Sequence, residues 1–199
     1  PFQRYVFLLH VGDNIYGGLE HRSSTALLAD RHSLPRASDS SDAYIGLLGL
    51  FSHEYFHAWN VKSIKPQAFA QSDLNHEAYS EQLWAFEGIT SYYDDLFLVR
   101  SGVISTTQYL RLVAQNLTRV QQSGGRHVQT LAEASFNAWT KYYKQNENSP
   151  NALVSYYQQG ALMALCLDSH IRQHSGGRHS LDTIIQALYA DYAANAQRP

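Results

Sequence analysis

The sequence has little of what marks several common classes of protein. It has one cysteine, Cys166, which excludes an internal disulfide and lies in an apolar stretch where we expect a core residue. The net charge is −2 with no run of Lys or Arg, so nucleic acid is not an expected partner, nor is an anionic membrane. No apolar run approaches the roughly 18 residues that span a bilayer, so no membrane span is predicted.

What is present suits an ordinary globular domain. The chain has 199 residues, of which 44% are hydrophobic, and this is enough for one core. It opens on Pro1 without an initiator Met, so we expect a piece of a longer protein. Residues 1–199 are therefore predicted to be a single domain, with edge strands in 1–35 and a helical part in 40–199.

Strand patterns occupy the N-terminal part of the chain. Residues 4–11 form an apolar run of strand length, and residues 19–28, after Gly17-Gly18, are predicted to form a second strand. The polar residues 30–42 are predicted to be a loop that ends in a helix N-cap within Ser38–Asp42. The fold is thus predicted to be α+β, mainly helical with a small edge sheet at the N-terminus.

Helical patterns fill the rest of the chain. We predict helices over residues 43–60, 80–101, 105–123, 130–143, 152–174 and 180–193.

The motif His53-Glu54-Tyr55-Phe56-His57 carries the functional prediction. On a helix, residues four apart lie on one face, so both imidazoles point to one place and supply half of a tetrahedral zinc site. Glu54 then lies near enough to act as a general base on water. The alternative is a surface helix that carries these residues by chance. The uncharged segment before the motif favours a buried helix, where the trio needs a partner such as a metal.

Glu87 and Asp94 are candidates for the rest of a metal centre. Glu87 lies among apolar residues, where an unpaired carboxylate is costly and a role as third zinc ligand would remove that cost. The alternative is a carboxylate bonded to a backbone group or an Arg. Asp94 is seven residues later on the same helical face and could accept the second N–H of a ligand His, or could be a surface residue.

Gly18 and Glu20 are candidates for substrate contacts. The paired glycines permit close approach of a backbone or ligand, and Glu20 follows on a potential edge strand. The alternative for Glu20 is a solvated strand carboxylate.

Four separate motifs, which occur along the chain in the order that the family has, resemble the glycyl aminopeptidase family (peptidase family M61). That family is related to the aminopeptidase N group. They are His53-Glu-Tyr-Phe-His57-Ala-Trp-Asn, Leu83-Trp-Ala-Phe-Glu87-Gly-Ile-Thr-Ser-Tyr-Tyr-Asp-Asp, Gly17-Gly-Leu-Glu20-His-Arg-Ser-Ser and Ser155-Tyr-Tyr157-Gln-Gln-Gly160, with a further match at Leu167-Asp-Ser-His-Ile-Arg.

This resemblance implies a role for each motif. It implies zinc ligands at His53, His57 and Glu87 and a general base at Glu54. It also implies that Glu20 binds the substrate's free α-amine and that Tyr157 stabilises the oxyanion. Gln159 stands where the family pattern has lysine, so Tyr156 remains the alternative to Tyr157.

The resemblance further implies a thermolysin-like zinc metallopeptidase catalytic domain. Flanking domains are expected in the full chain, an N-terminal β domain and a C-terminal PDZ domain. The predicted activity is release of a small N-terminal residue, Gly or Ala, from peptides with a free N-terminus. The alternatives are a zinc endopeptidase with the same metal site and a non-catalytic peptide-binding module. The compartment is not indicated.

Overall fold

A computed structural model describes residues 2–36, 41–73 and 75–196, and these form a mainly helical protein with one small N-terminal sheet. This confirms the predicted mainly helical fold. Residues 37–40 of the loop predicted over 30–42 lie outside the described residues. Ser41, which follows them, caps the first helix by accepting a hydrogen bond from the backbone N–H of Tyr44.

The sheet has three strands, β1 (Val6–Gly12), β2 (Gly17–Glu20) and β3 (Ser24–Asp30), in the order β1-β3-β2. β3 pairs parallel to β1 and antiparallel to β2. The prediction of one strand over residues 19–28 was wrong. The chain reverses between β2 and β3, where the His21 N–H donates to the Ser24 carbonyl at 2.9 Å. Among the described strands, β2 has a neighbour on one side only, so its other edge is unpaired, and its residues line the cleft described below.

The helices follow the strands along the chain. They are α1 (Asp42–Phe56), α2 (Gln67–Ala70), α3 (Ile89–Arg100), α4 (Thr106–Gln122), α5 (Leu131–Phe136), α6 (Ser149–Ala152), α7 (Tyr156–Ser175) and α8 (Leu181–Ala196). Short 3-10 turns occupy Arg31–Ser33 and Gly124–His127. None of the helices formed by the described residues is long and apolar enough to cross a membrane.

Several of the predicted helices differ from the observed ones in their bounds. The one predicted over 43–60 ends at Phe56, and the one over 152–174 begins at Tyr156 because Ser155 caps it. The one predicted over 130–143 divides at Asn137 into α5 and a π-helical segment, Ala138–Tyr142. Periodicity does not locate such breaks, since apolar residues continue across them.

A second π-helical segment, Trp84–Gly88, precedes α3 and contains Glu87. The pattern over 80–101 predicted one continuous α-helix. In this segment the backbone hydrogen bonds instead join residues five apart for one turn. π-helical turns are rare and occur frequently at functional sites.

The largest core cluster joins α1, α3, α7 and α8. Its buried members are Phe56, Tyr92, Tyr93, Ala161, Ala164 and Leu181. Asp168 ties three of these helices, because its carboxylate accepts hydrogen bonds from the Tyr92 hydroxyl, the Arg172 guanidinium and the Leu181 N–H at 2.7–2.8 Å. The core therefore fixes the angle at which α7 crosses α3.

Cys166 is exposed, so its prediction as a core residue was wrong. The buried side of α7 carries Gly160, Ala161, Ala164 and Asp168. At about 100° per residue, Cys166 is turned roughly 200° from Ala164 and faces solvent. Apolar residues run without interruption around it, so the sequence does not distinguish the two faces.

The closest approach between α7 and the segment Trp84–Gly88 occurs at two glycines. A Cβ on Gly160 would lie 2.7 Å from the Trp84 carbonyl oxygen and 2.9 Å from the Gly88 Cα. No side chain fits between these backbones, and both residues are buried. The contact sets how near the N-terminal turn of α7 comes to Glu87.

We expect Gly160→Ala to lower the free energy of unfolding by about 1–3 kcal/mol, because the added methyl forces two packed backbones apart. Urea denaturation of the purified protein measures this. Gly46→Ala on α1 is the matched control, since a Cβ there meets no atom within 4 Å and alanine favours helix. Unchanged stability of Gly160→Ala would contradict the inferred close contact.

Candidate metal centre and substrate cleft

α1 presents His53 and His57 one turn apart. Their ring centroids are 4.7 Å apart with planes at 87°. His57 follows the last residue of α1, but its φ of −59° and ψ of −18° remain helical, so the four-residue spacing keeps both rings on one face.

Glu87 completes the cluster that the sequence predicted. The Nε2 atoms of His53 and His57 each lie 3.2 Å from the same oxygen, Oε2 of Glu87. The side chains are largely buried, with 12% of His53, 2% of His57 and 18% of Glu87 exposed. One ligand atom from each residue lies within 4.8 Å of the others, so the three could hold a metal ion.

The remaining ring nitrogens are tied to acceptors. His53 Nδ1 lies 3.1 Å from Asp94 Oδ2, and His57 Nδ1 lies 2.8 Å from the Asn60 carbonyl oxygen. A proton held at each Nδ1 leaves the Nε2 lone pairs directed at Glu87, which is the tautomer that a metal requires.

Asn60 also fixes the other half of the cluster. Its side-chain amide donates to the Phe86 carbonyl and to the Thr90 hydroxyl, both at 3.1 Å. Sequence reasoning missed this residue, although the motif quoted above ends on it. One residue therefore joins the end of α1 to the segment that carries Glu87.

The charge distribution fits a cation between the three side chains. Burial lowers the pKa of His53, but hydrogen bonds to Asp94 and Glu87 outweigh it and raise the pKa to about 10. Burial raises the pKa of Glu87, but His57 and His53 outweigh it and hold the pKa below its ordinary value. Both shifts have one cause, since the carboxylates stabilise positive charge at this point. A divalent ion supplies that charge, and two imidazoles with a carboxylate are a usual zinc donor set.

Glu54 lies against the backbone of β2. A Cβ on Gly18 would lie 2.6 Å from Glu54 Cγ, so only glycine leaves room for this carboxylate. Glu54 Oε2 is buried and has no hydrogen-bond partner among the described residues. Burial raises the pKa of Glu54 to about 7, against the lowering effect of the two histidines. The side chain is thus suited to accept and release a proton near neutral pH.

Glu20 faces the same cluster from the end of β2. Its carboxylate has an oxygen within 4.8 Å of ligand atoms of Glu54 and His57. It is not a free solvated carboxylate, because Lys62 Nζ lies 3.0 Å from Glu20 Oε1 and only 21% of the Glu20 side chain is exposed. No sequence motif pointed to Lys62, which lies in the turn after α1.

Tyr157 and Tyr156 lie in different surroundings. The ring of Tyr157 lies 6.1 Å from that of His53, and its side chain lines the cleft. Tyr156 is 1% exposed and packs in a core cluster with Val154. Burial and the nearby Glu87 raise the pKa of Tyr157 well above its ordinary value, so its hydroxyl keeps its proton.

One cleft of about 930 Å³ is lined by the side chains of Glu20, His53, Glu54, His57, Glu87, Asp94 and Tyr157. Its carboxylates are Glu20, Glu54, Glu87, Asp94 and Asp95. Arg119 is the one Lys or Arg side chain among the described lining residues. Burial and Asp94 raise the pKa of Asp95 to about 7. The cleft therefore favours cationic groups.

Known proteins resemble this chain in sequence and in structure. Residues 46–163 match the model of the M61 glycyl aminopeptidase family. A solved structure, the aminopeptidase N family protein from Idiomarina loihiensis, is 48% identical with a TM-score of 0.93. The match covers 96% of this chain and 33% of that one, so this chain spans about a third of that protein's length. No curated protein matches the chain.

We expect Gly18→Ala to lower the free energy of unfolding by about 1–3 kcal/mol, because the methyl would overlap the Glu54 carboxylate and displace it from its position. Urea denaturation of the purified protein measures the loss. Gly17→Ala is the matched control, since the nearest atom to its Cβ is a Leu28 methyl at 4.0 Å. Equal stability of the two variants would contradict the importance of this contact.

Proposed function

Because the chain belongs to the M61 glycyl aminopeptidase family, we propose that it is the catalytic domain of a zinc-dependent aminopeptidase. Residues 1–199 would form one thermolysin-like domain of a longer protein, flanked by a β domain and a PDZ domain. One observation carries the proposal: both His Nε2 atoms face a single Glu87 oxygen, and beside them lies Glu54, whose Oε2 has no hydrogen-bond partner among the described residues.

In this proposal, His53, His57 and Glu87 hold the zinc ion. Asp94 and Asn60 keep the imidazoles in the tautomer that binds metal, through the contacts at their Nδ1 atoms. The chemistry that zinc supplies when bound is Lewis acidity, which polarises the scissile carbonyl and makes water more acidic.

Glu54 acts as the general base. Its carboxylate accepts a proton from the attacking water and passes it to the leaving amine. Burial against Gly18 supports this role, since it holds the pKa of Glu54 near 7 and limits the positions that the carboxylate can take.

Tyr157 donates a hydrogen bond to the developing oxyanion. Its position on the cleft wall favours it over Tyr156, which is buried and is not among the residues that line the cleft. Such a donor lowers the barrier most when it is already aimed at the place where charge develops.

Glu20 binds the substrate's protonated α-amine. Its contact with the Lys62 ammonium supports an ability to bind a cation of this kind. A carboxylate has a second oxygen, and its proximity to Glu54 and His57 would bring the first peptide bond to the base. Small N-terminal residues, Gly or Ala, are the proposed substrates.

One observation favours a second candidate, a zinc endopeptidase with the same metal site. The ion pair between Lys62 and Glu20 neutralises the carboxylate that an aminopeptidase needs for its anchor. If Lys62 stays in place during binding, a chain without a free amine would enter equally well.

We expect the purified full-length protein to hold about one zinc ion in this domain and Glu87→Ala to lose most of it, because two ligands hold zinc poorly. Elemental analysis after dialysis measures this. Glu81→Ala is the matched control, since Glu81 is exposed and outside the cleft lining.

Glu54→Gln completes the metal series. It should keep the zinc and lose turnover, since the amide fills the same space but cannot accept the proton. Full zinc occupancy in Glu87→Ala would place the third ligand elsewhere.

We expect an N-acetylated peptide to be a poor substrate, because it lacks the charge that Glu20 recognises. Glu20→Gln should weaken cleavage of the free peptide by about 2–5 kcal/mol in kcat/KM, the range for breaking a buried charge pair, and should affect the acetylated peptide far less. The assay compares one Gly- or Ala-initiated peptide in both forms. Comparable cleavage of the two by wild-type protein would exclude the aminopeptidase and favour the endopeptidase.

A further inference from the structure

Four tyrosines stand together at the wall of the cleft. This tyrosine cluster consists of Tyr142, Tyr143, Tyr156 and Tyr157. Tyr142 ends the π-helical segment Ala138–Tyr142, Tyr143 follows it, and Tyr156 and Tyr157 begin α7. The rings of Tyr156 and Tyr157 stack with centroids 4.7 Å apart. The proposed mechanism uses only Tyr157, and nothing in it accounts for Tyr143.

Three hydroxyls of the tyrosine cluster form a chain. The Tyr156 hydroxyl donates to the Tyr143 oxygen at 3.3 Å, and the Tyr143 and Tyr157 oxygens are 3.1 Å apart. This chain of hydrogen bonds begins in the core at Tyr156, which is 1% exposed, and passes through Tyr143, which is 65% exposed. Tyr143 and Tyr157 both line the cleft, and Tyr157, the last member, lies beside His53.

Each hydroxyl has only one hydrogen to donate, and this fixes the direction of the hydrogen bonds among the three tyrosines during catalysis. Tyr157 has one hydroxyl hydrogen, so when that hydrogen goes to the oxyanion, the 3.1 Å contact is a hydrogen bond only if Tyr143 donates it. In the contact between Tyr156 and Tyr143, Tyr156 supplies the hydrogen. The hydrogen of the Tyr143 hydroxyl is therefore not used there and can be donated to Tyr157. Each hydroxyl then donates once along the line from Tyr156 through Tyr143 to Tyr157 and the cleft.

We propose that Tyr143 is a positioning residue for Tyr157: its hydroxyl occupies the Tyr157 oxygen, directs the Tyr157 hydrogen into the cleft and strengthens it as a donor. The inference rests on the proposed function, in which Tyr157 stabilises the oxyanion. Hydrogen bonds in a chain polarise one another, by an estimated ~10–30% per bond. Directing the hydrogen before the substrate binds also removes a reorganisation step from the barrier.

The surroundings of Tyr143 indicate that its side chain contributes little to the packing of the core. Its ring is mostly exposed and touches Tyr142 edge-on at 5.5 Å. The core cluster that contains Tyr156 includes Tyr142 and Tyr157 as packing neighbours but not Tyr143. Removal of the Tyr143 hydroxyl should therefore disturb the chain of hydrogen bonds and leave the core unchanged.

The test measures kcat and KM of the full-length protein on an unblocked Gly- or Ala-initiated peptide. Tyr143→Phe should lower kcat by about three- to tenfold, the loss for one neutral hydrogen bond, and leave KM nearly unchanged because the effect belongs to the transition state. Tyr156→Phe should lower kcat in the same direction by less, since it removes the first donor only. Tyr79→Phe is the matched control, because Tyr79 is partly exposed, packs on Phe136 and does not line the cleft.

A double-mutant cycle distinguishes positioning from a structural effect. Tyr157→Phe alone should lower kcat by about 10²–10³-fold, the usual loss for one oxyanion donor. Adding Tyr143→Phe to it should change kcat by no more than about twofold, because the hydrogen that Tyr143 directs is already gone.

Each outcome bears on a different statement. Tyr143→Phe with unchanged kcat, or with an equal loss in the Tyr157→Phe background, overturns the positioning role and leaves the proposed function standing. Tyr157→Phe with unchanged kcat overturns the oxyanion assignment and the positioning role together. Absence of peptide hydrolysis by the zinc-loaded wild-type protein overturns both as well.

Discussion

Two imidazole nitrogens and one carboxylate oxygen meet in a largely buried pocket, and the surrounding structure serves to keep them there. The nitrogens lie 3.2 Å from the same Glu87 oxygen, a spacing at which bare lone pairs repel unless a positive charge lies between them. Asp94 and Asn60 hold the far side of each ring. Because these partners come from different parts of the chain, the complete cluster requires the packing of α1 against α3 and the segment that carries Glu87.

Two positions without side chains set the distances around this cluster. Gly160 lets α7 approach the segment that carries Glu87, which brings Tyr157 beside His53. Gly18 lets β2 approach α1, which confines the Glu54 carboxylate. Glycine is needed at both for close approach and not for backbone flexibility, since neither has a positive φ.

The sequence predicted the parts of this site that depend on local spacing. The four-residue interval in α1 indicated that His53 and His57 share a face, and apolar neighbours made Glu87 a candidate for a partner. Contacts that depend on tertiary packing left no such signal. The Lys62 ion pair, the π-helical turn at Glu87 and the division of the predicted second strand each arise where separate elements meet. The exposure of Cys166 could not be predicted either, because the apolar run around it does not indicate which side of α7 faces the core.

The free edge of β2 has a consequence for which polypeptides can enter the cleft. Its backbone groups on that side have no strand partner among the described residues, and Glu20 stands at its end. A chain that pairs with such an edge must itself be extended, at about 3.3 Å per residue. A terminus wound into a helix rises about 1.5 Å per residue and has its own amides already bonded. Such a terminus must unwind before it can pair, so this edge would discriminate between polypeptides by conformation. Under the proposed function, an unstructured end would be cut before a folded one of the same sequence.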